Sequence, residues 1–499
     1  MNRSSCVPEP RLRVMVDLPP AEAGDFVLYW MTAARRLTWN YALDRAVELA
    51  AELGKPLVVL EALRVGYRWA SDRHHAFVLQ GMADNARFAQ LRGALYHPYV
   101  EPEPDAGRGL LVALSRRAAA VVTDDSPAFF LPRMLGAAAG LLACRLEAVD
   151  SNGLLPVACG ERLFATAYSF RRFLQSSLKF HLLHPPQADP LAGADLPRLA
   201  ALPAAIVARW QVAGERLLAA GTAALGELPI DHAVAPVAGF PGGTGAAVLA
   251  LERFLDERLA RYAEERNHPD ADAASGLSPY LHFGQLSAHE ILARLGAREG
   301  WQPETLASRG DGGRRGWWGM SAGAESFLDQ LVTWRELGLN FCARRPDDFD
   351  RYESLPEWAR TTLARHAGDE RKWTYSLAEL AGASTHDEIW NAAQRQLAAE
   401  GRIQNYLRML WGKKVIEWSA SPEAALGHLV ELNNRLALDG RDPNSYSGIF
   451  WCFGRYDRPW GPERPIFGTV RYMSSDSTRR KLDLARYLAR WSAKGSLLA

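Results

Sequence analysis

The apolar pattern of this chain changes partway along its length, and the change restricts the folds that the chain can adopt. Over about residues 21–160, short apolar runs (FVLYWM from Phe26, PLVVLEAL, AAAVVTDDS) alternate with helical stretches such as the one from Asn40 to Leu53. Strands that alternate with helices are typical of a parallel α/β sheet. From about Ala246 the apolar residues follow helical spacing instead. We therefore predict an α/β N-terminal domain with a parallel sheet and an all-α C-terminal domain.

Four segments can be separated along the 499 residues, which are too many for a single hydrophobic core. Residues 1–20 are expected to form a polar arm, and residues 21–160 the α/β domain. Residues 161–245 are rich in Pro, Ala and Gly and are predicted to be an interdomain linker. Residues 246–490 are expected to form the helical domain, which begins with one apolar stripe. The stripe comprises Leu249, Phe254, Leu255, Leu259 and Tyr262.

Composition places the chain with ordinary globular proteins, since 48% of the residues are hydrophobic and 23% are charged. The net charge of +1 gives no global attraction to nucleic acid, so DNA binding requires a local basic patch. Five scattered cysteines without a CxxC motif, and no apolar run of transmembrane length, favour a cytoplasmic protein. The histidines show no HxxxH or HExxH spacing, so no metal site is expected.

Tryptophan is concentrated in the second half of the chain, where twelve of the sixteen lie at or after Trp301. Indoles pack well in a core, but they also stack on flat π systems and pass single electrons over short gaps. Trp411 and Trp418 would be about 10 Å apart on one helix and share a face. Trp390 precedes them in EIWNAAQ. The cluster is therefore suited to stacking or to passing electrons, with core packing as the alternative for each residue.

Two segments carry polar groups suited to a phosphate-containing or charged ligand. SGLSPYLHFGQLS (275–287) offers hydroxyls and backbone N–H groups before a helix, although such residues are often only a helix cap. In RIQNYLRMLW (402–411), Asn405 and Arg408 are one helical turn apart. A buried Arg408 requires a carboxylate partner, and Asp439 in the LDGRDPN loop is a candidate. The alternative for that loop is a solvated turn.

Basic and aromatic residues are interleaved in IFWCFGRYDRPWGPERPIFGTVRYMSS (449–475). Guanidinium groups bind phosphates, and rings stack on bases or replace an extruded base. Arg479, Arg480 and Lys481 extend the positive charge. The segment predicts a nucleic-acid surface, and a solvated face with structural aromatics is the alternative.

Taken in order, these segments resemble the photolyase/cryptochrome superfamily, and most closely the class II cyclobutane pyrimidine dimer photolyases. The resemblance runs from about residue 29 to about residue 475. It is strongest in LSPYLHFGQLS, WRELGLNF, THDEIWNAAQ, YLRMLWGKK, LDGRDPNSYSGI, YDRPWG and RYMS. It implies a Rossmann-like antenna domain, a linker and an all-α domain that holds FAD. It further implies a monomeric lyase that splits a flipped-out dimer in UV-damaged DNA by light-driven electron transfer from reduced FAD. A deazaflavin or folate antenna in the N-terminal domain is possible for the family.

The resemblance also assigns roles to individual residues. FAD would be held by Tyr262, Ser275, Leu277, Ser278, Arg335, Asn405, Arg408, Asn433 and Asp439. Among these, Arg408 would pair with Asp439 beside the isoalloxazine ring, and Asn433 would lie at flavin N5. The electron chain would run outward through Trp411, Trp390 and Trp418, with Tyr375 as a branch. Trp334, Met409 and Trp451 would line the dimer pocket, and Asp457, Arg458 and Arg471 would bind the lesion or the opened duplex.

One position departs from the family pattern. Class II relatives carry an acid that hydrogen-bonds the dimer, and the chain has Gln330 there, with Asp329 adjacent. A Gln amide donates a hydrogen bond but supplies no proton. Either repair tolerates Gln330, or Asp329 substitutes, or the chain has another role. A weakened hydrogen bond of about 1.5–3 kcal/mol to a charged intermediate predicts a lower quantum yield.

Two other functions stay open at this point. A cryptochrome-type light sensor would keep the FAD and the Trp chain but lose the basic rim, and Gln330 favours it. A plain FAD-binding or DNA-binding module would lack photochemistry altogether. A class I or (6-4) photolyase is disfavoured because LDGRDPN and RYMS resemble class II.

Overall fold

The computed structural model describes residues 5–493 and divides the chain into two units. The first unit comprises the chain up to Glu161 together with Ser177–Glu252 and Leu277–Glu304. The second comprises Arg162–Ser176, Arg253–Gly276 and the chain from Thr305 onward. Each unit is thus assembled from three separate stretches of the sequence.

A six-stranded sheet organises the first unit. Its strands are β1 (Leu12–Val16), β2 (Phe26–Met31), β3 (Leu57–Leu63), β4 (Leu95–Val100), β5 (Ala118–Asp124) and β6 (Leu146–Val149). The order across the sheet is β1-β6-β5-β2-β3-β4, and all neighbours are parallel except β1 and β6. Every residue of β2 and β5 is buried, as the central strands of a covered parallel sheet must be. The predicted α/β fold is confirmed.

Twenty-two α-helices lie within residues 5–493. They are α1 (Tyr41–Leu53), α2 (Asp72–Arg92), α3 (Leu110–Ser115), α4 (Leu131–Ala139), α5 (Ala167–Leu182), α6 (Ala204–Arg209), α7 (Glu215–Leu218), α8 (Thr222–Leu225), α9 (Thr244–Glu257), α10 (Leu259–Glu265), α11 (Ser278–His282), α12 (Ala288–Glu299), α13 (Ala322–Leu328), α14 (Arg335–Arg344), α15 (Glu357–Arg365), α16 (Leu377–Ala381), α17 (Glu388–Glu400), α18 (Asn405–Trp418), α19 (Pro422–Leu436), α20 (Pro443–Cys452), α21 (Ser475–Lys481) and α22 (Ala485–Arg490). None of these described helices is long and apolar enough to cross a membrane.

The ends of α1 show how local sequence determines an element. The Asn40 side chain accepts hydrogen bonds from the backbone N–H groups of Ala42 and Leu43, which have no partner inside the helix. Gly54 ends the helix in the left-handed conformation, at φ 61°. The predicted stretch from Asn40 to Leu53 is therefore recovered with its cap.

Two stretches carry more structure than their composition indicated. Leu12–Val16, within the predicted arm, forms edge strand β1, whose LRVMV pattern is only partly buried. Four helices, α5 to α8, lie within the predicted linker at 161–245. The linker composition concealed them because three of the four are only four to six residues long.

The apolar stripe predicted from residue 246 is wrong at its first member. Phe254, Leu255, Leu259 and Tyr262 are buried, but Leu249 is 71% exposed. Leu249 and Phe254 are five residues apart and so face different sides of a helix with 3.6 residues per turn. Leu251, three residues before Phe254, occupies the stripe instead and is fully buried.

The helix that runs from Ala322 to Arg344 changes its hydrogen-bonding pattern in the middle. Asp329–Trp334, between α13 and α14, is π-helical. Such single-turn insertions are rare and often lie at functional sites. This π segment contains both Asp329 and Gln330, the two residues between which the sequence alone could not decide.

Candidate functional site

Three indoles form a continuous column in the second unit. The ring centroids of Trp411 and Trp390 are 6.3 Å apart with nearly parallel planes (6°), and those of Trp390 and Trp418 are 5.7 Å apart at 68°. Trp411 and Trp418 lie on α18 and Trp390 on α17. All three are almost completely buried. The structure therefore brings the three residues together, with Trp390 between the other two.

Hydrogen bonds fix the two inner indoles of this column. The Trp390 Nε1–H donates to the backbone oxygen of Trp411 over 3.0 Å. The Trp411 Nε1–H donates to Oε1 of Gln394 over 2.9 Å. Both buried N–H groups are thus satisfied without a charged partner. Gln394 was not predicted, although its place one helical turn after Trp390 on α17 was a usable signal.

The charged pair predicted from the sequence forms at the inner end of the column. Nη2 of Arg408 is 2.8 Å from Oδ1 of Asp439, and their side chains are 26% and 13% exposed. Arg408 is on α18 one turn before Trp411, and Asp439 is in the loop after α19. Burial alone would lower the pKa of Arg408, but the Asp439 carboxylate outweighs it and the pKa is raised. Arg408 therefore keeps its positive charge beside Trp411.

Asn433, on α19, lies in a buried amide and hydroxyl cluster. Its Nδ2 donates to Oγ of Ser445 over 2.7 Å and to Oδ1 of Asn434 over 3.1 Å. This network orients the amide and engages its nitrogen within the protein. A half-buried arginine–carboxylate pair, an oriented amide and an indole are a set of groups suited to a planar ring that carries negative charge. These residues fit a reduced flavin.

Two further tryptophans stack on each other. The ring centroids of Trp334 and Trp451 are 4.4 Å apart with an interplanar angle of 17°, and both side chains are half-buried. Close packing of α14 against α20 brings them together, because a Cβ on Gly338 would lie only 2.8 Å from Cα of Asn444. The Gly in WRELGLNF therefore allows the helix approach that pairs the two indoles. Met409, the third predicted pocket residue, is half-buried on α18.

The predicted DNA-contacting residues gather around Trp460. The guanidinium carbons of Arg458 and Arg471 lie 5.6 Å and 5.5 Å from the Trp460 ring centroid. Both arginines are exposed, and Trp460 is 42% exposed. Burial raises the pKa of Asp457, and the Lys413 ammonium opposes the shift. This patch provides two cations on an exposed aromatic ring, which suits a phosphate backbone.

Asp329 is engaged away from Gln330. Nε of Arg171 is 2.7 Å from Oδ1 of Asp329, and the two side chains are only 6% and 9% exposed. Gln330 is half-buried. Because the Asp329 carboxylate neutralises a buried cation, the alternative in which Asp329 replaces the family acid is not supported. Sequence reasoning missed the pair because Arg171 lies 158 residues before Asp329.

We expect the Asp329→Asn variant to be destabilised by about 3 kcal/mol, because it leaves the Arg171 charge buried without a counter-charge. Urea unfolding followed by circular dichroism measures the difference. Gln330→Asn is the matched control, since Gln330 is next to Asp329 in the sequence, is half-buried and carries no charge. Equal stability of the two variants would contradict the role given to the Arg171–Asp329 pair.

The predicted phosphate-binding residues lie in different environments. Tyr262 is buried among Phe254 and Phe327. Leu277 is also buried, so only its backbone is suited to a ligand. Ser278 and Asn405 are exposed at the first residues of α11 and α18, and Ser275 and Arg335 are partly exposed. Their cofactor roles stay a prediction.

Two segments of the first unit that the sequence offers for an antenna chromophore, YWMTAARR near Tyr29 and VTDDS, are engaged with each other. The backbone N–H groups of Thr32, Ala33 and Ala34 donate to Oδ2 of Asp124 over 2.7, 2.7 and 3.0 Å. The Tyr29 hydroxyl donates to Oδ1 of the same carboxylate over 2.8 Å. The donors in and just after β2 therefore serve the Asp124 carboxylate at the end of β5. A deazaflavin or folate in this domain stays a prediction. Residues 5–493 contain no cluster of three or more metal-ligating side chains.

Known proteins similar to this chain carry one recurring name. No family model matches the chain. The deoxyribodipyrimidine photo-lyase of Methanothermobacter thermautotrophicus is 34% identical over 481 residues, covering 96% of this chain and 97% of the relative. Proteins of that name from Oryza sativa subsp. japonica and Potorous tridactylus are 32% and 30% identical, covering 93% and 92% of this chain and 87% and 80% of their own lengths. A bacterial class III photolyase from Agrobacterium tumefaciens shares the fold, with a TM-score of 0.65, 18% identity and coverage of 94% of this chain and 86% of its own.

Proposed function

Since the chain belongs to the deoxyribodipyrimidine photo-lyase family, within the photolyase/cryptochrome superfamily, we propose that it splits cyclobutane pyrimidine dimers in UV-damaged DNA using FAD and light. It is a DNA-repair photolyase, an enzyme of the lyase class. The dimer as substrate, the electron-transfer mechanism, the class II assignment and a monomeric state are the proposed parts. The observation that carries the proposal is the buried indole column, which begins at the Arg408–Asp439 pair.

Bound FAD would supply the light-driven single-electron chemistry. The protein would bind the cofactor, stabilise its negative charge and exclude water. Arg408 would hold a positive charge beside the ring, and Asp439 would fix the direction of that guanidinium. Asn433 presents an amide whose orientation is set by Ser445 and Asn434. The column of Trp411, Trp390 and Trp418 would carry electrons inward to restore the reduced flavin. This restoration is not required in each repair turnover.

For the lesion, Trp334 and Trp451 provide large apolar ring faces at half-buried positions, and Met409 adds a flexible apolar side chain. An extruded dimer would gain stacking with these rings in place of its stacking in the duplex. Arg458 and Arg471 would hold phosphates of the opened strand. Asp457, which interacts electrostatically with Lys413 and Arg471, would position the cations at the edge of the patch around Trp460.

Gln330 would donate a hydrogen bond to the dimer through its amide NH₂. Its position four residues before Trp334 in the π segment keeps both side chains on one side of the helix. Gln330 is also the observation that favours a second function, a light sensor without efficient repair. The patch formed by Arg458, Arg471 and Trp460 favours repair over that alternative.

The test is repair of a dimer-containing oligonucleotide by photoreduced protein, in light and in darkness, followed by the recovery of thymine absorbance. We expect recovery only in light. Bound FAD that photoreduces without any repair would overturn the proposed lyase and favour the sensor. A Trp451→Ala variant, which removes one ring of the pocket pair, is the matched loss-of-binding control.

Replacing Gln330 with Glu is expected to raise the repair quantum yield. A carboxyl group there supplies a charge-assisted or proton-donating hydrogen bond to the dimer, which is about 1 kcal/mol stronger than that of a neutral amide. Quantum yields at matched absorbed light measure the effect, with Gln330→Leu as the variant that donates no bond. A yield that is the same in all three proteins would show that residue 330 does not touch the lesion.

A further inference from the structure

A tyrosine–histidine pair continues the indole column at its outer end. The Tyr375 ring lies 5.5 Å from that of Trp418 at 79°, and the backbone N–H of Tyr375 donates to the Trp418 oxygen over 3.1 Å. The Tyr375 oxygen lies 2.6 Å from Nδ1 of His386 and accepts from the His386 backbone N–H over 3.0 Å. His386 precedes α17, and Trp373 stacks on its ring at 4.7 Å and 22°. Backbone groups therefore hold the phenol against the last indole and the imidazole, and the imidazole itself lies 5.2 Å from the Trp418 ring.

The direction of the short hydrogen bond depends on the tautomer of His386. In the tautomer with its proton on Nε2, Nδ1 accepts the phenolic hydrogen, while the phenol oxygen accepts from the His386 backbone N–H. The charged groups around the ring are Asp387 before α17, Lys414 and Glu417 on α18, and Lys372 in the preceding loop. Burial lowers the pKa of His386; the two lysines add to this shift and the two carboxylates oppose it. The lowered pKa favours the neutral imidazole that can take up a proton.

We propose that His386 accepts the phenolic proton of Tyr375 as Tyr375 gives one electron to the Trp418 radical cation. The products are neutral Trp418, a neutral tyrosyl radical and an imidazolium. One electron and one proton leave Tyr375, so charge and atoms balance. The inference rests on the proposed function, because electron flow along the column generates the Trp418 radical. His386 is a positioning and proton-accepting residue for photoreduction and has no role in dimer splitting.

Trp411 and Trp390 have no such acceptor at their indole N–H groups. The indole N–H of Trp411 faces the neutral Gln394 amide, and that of Trp390 faces a backbone carbonyl, neither of which takes up a proton at neutral pH. Lys414 Nζ lies 5.5 Å from the Trp418 ring centroid and disfavours a persistent positive charge there. His386 is exposed, so its imidazolium passes the proton on to water. The Tyr375–His386 pair would thus trap the oxidising equivalent far from the flavin and slow its return.

The test is flash photolysis of the FAD-loaded protein, following the broad visible absorption of tryptophan radicals and the narrow near-ultraviolet band of a tyrosyl radical. We compare wild type with Tyr375→Phe, His386→Phe and His386→Asn. In His386→Phe the backbone contacts of Tyr375 persist and the ring stack is kept, but no proton acceptor remains. We expect its tyrosyl radical to form about 100-fold more slowly, at the lower end of what a positioned acceptor contributes. In wild type the tyrosyl yield should fall as pH drops through the lowered pKa of His386.

Each outcome decides between the alternatives. A tyrosyl radical in His386→Phe with the wild-type rate and pH profile would overturn the inference while leaving the proposed function intact. Absence of any tryptophan radical in wild type would overturn both. Partial rescue in His386→Asn, which offers a weak acceptor, and a rate slowed in D₂O support the proton step. The tautomer is checked independently by ¹⁵N shifts of His386, where a proton resting on Nδ1 would contradict the assignment.

Discussion

Light should reduce the flavin of a Trp411→Phe variant at least about tenfold more slowly than that of wild type, because at least about 1.4 kcal/mol is added to the barrier of the first electron transfer. A phenyl ring is much harder to oxidise than an indole, and Trp411 is the column member next to the Arg408–Asp439 pair. Continuous illumination in the presence of an external electron donor, with the flavin absorbance as readout, measures the rate. Enzyme reduced chemically beforehand should repair dimers at the wild-type rate, since the column acts only in restoring the reduced state.

The Trp411→Phe variant needs a control for packing, because it also removes the donor to the buried Gln394 and opens space in the core. A stability loss of about 1–3 kcal/mol is expected from the unsatisfied amide oxygen alone. Trp317→Phe is the matched variant, since Trp317 is equally buried in the same unit but lies outside the column. If both variants photoreduce equally slowly, core packing and not electron transfer explains the result, and Trp411 loses its assigned role.

The second large effect is expected on cofactor retention. Asp439→Ala leaves the Arg408 guanidinium without the carboxylate 2.8 Å away, and breaking this half-buried pair from one side is expected to cost about 1–3 kcal/mol, less than for a fully buried pair. The protein should purify with most of its flavin missing and with a lower melting temperature. Flavin content per chain, measured after denaturation, and differential scanning calorimetry report the two effects separately.

A graded pair of variants separates charge from shape at this position. Asp439→Asn keeps the size of the side chain and one acceptor oxygen, and it should fall between wild type and Asp439→Ala in flavin content. Asp442→Asn, three residues further along the same loop, removes a charge but keeps an N-cap for α20 and should bind flavin normally. Full flavin occupancy in Asp439→Ala would contradict placement of the pair beside the ring.

Local signals carried the sequence-based predictions furthest. The change from alternating strands and helices to helices alone followed from apolar periodicity, and the bounds of α1 were predicted to within one residue. The approach of Trp390 to both Trp411 and Trp418 was implied by the family resemblance, and helical spacing agreed with it. The pairing of Arg408 with Asp439 followed from the requirement that a buried cation has a counter-charge. Each of these needed only the identity of nearby residues or one electrostatic rule.

The predictions that failed or were missed depended on contacts between distant segments. Arg171 binds Asp329 from 158 residues away, and the sequence around either residue does not indicate the ion pair. Leu249 was misplaced because a stripe was read across five residues, which a helix does not align. His386 lies within the recognised THDEIWNAAQ block, yet its partner Tyr375 is held by the far end of α18. Pairing across the fold is set by packing, which single-sequence patterns do not encode.

The π-helical turn at Asp329–Trp334 bears on how this protein could evolve or be re-engineered. An extra residue in a helix rotates the side chains that follow it, about the helix axis, relative to those that precede it. Deleting one residue here would restore regular α-helical phase and rotate either Asp329 away from Arg171 or Gln330 away from Trp334. A one-residue shift of the helix therefore cannot move Asp329 into the position of Gln330 while its ion pair with Arg171 is kept. Only a point substitution at Gln330 would supply an acid there. The π-helical turn therefore restricts which mutations can place a carboxyl group at this position.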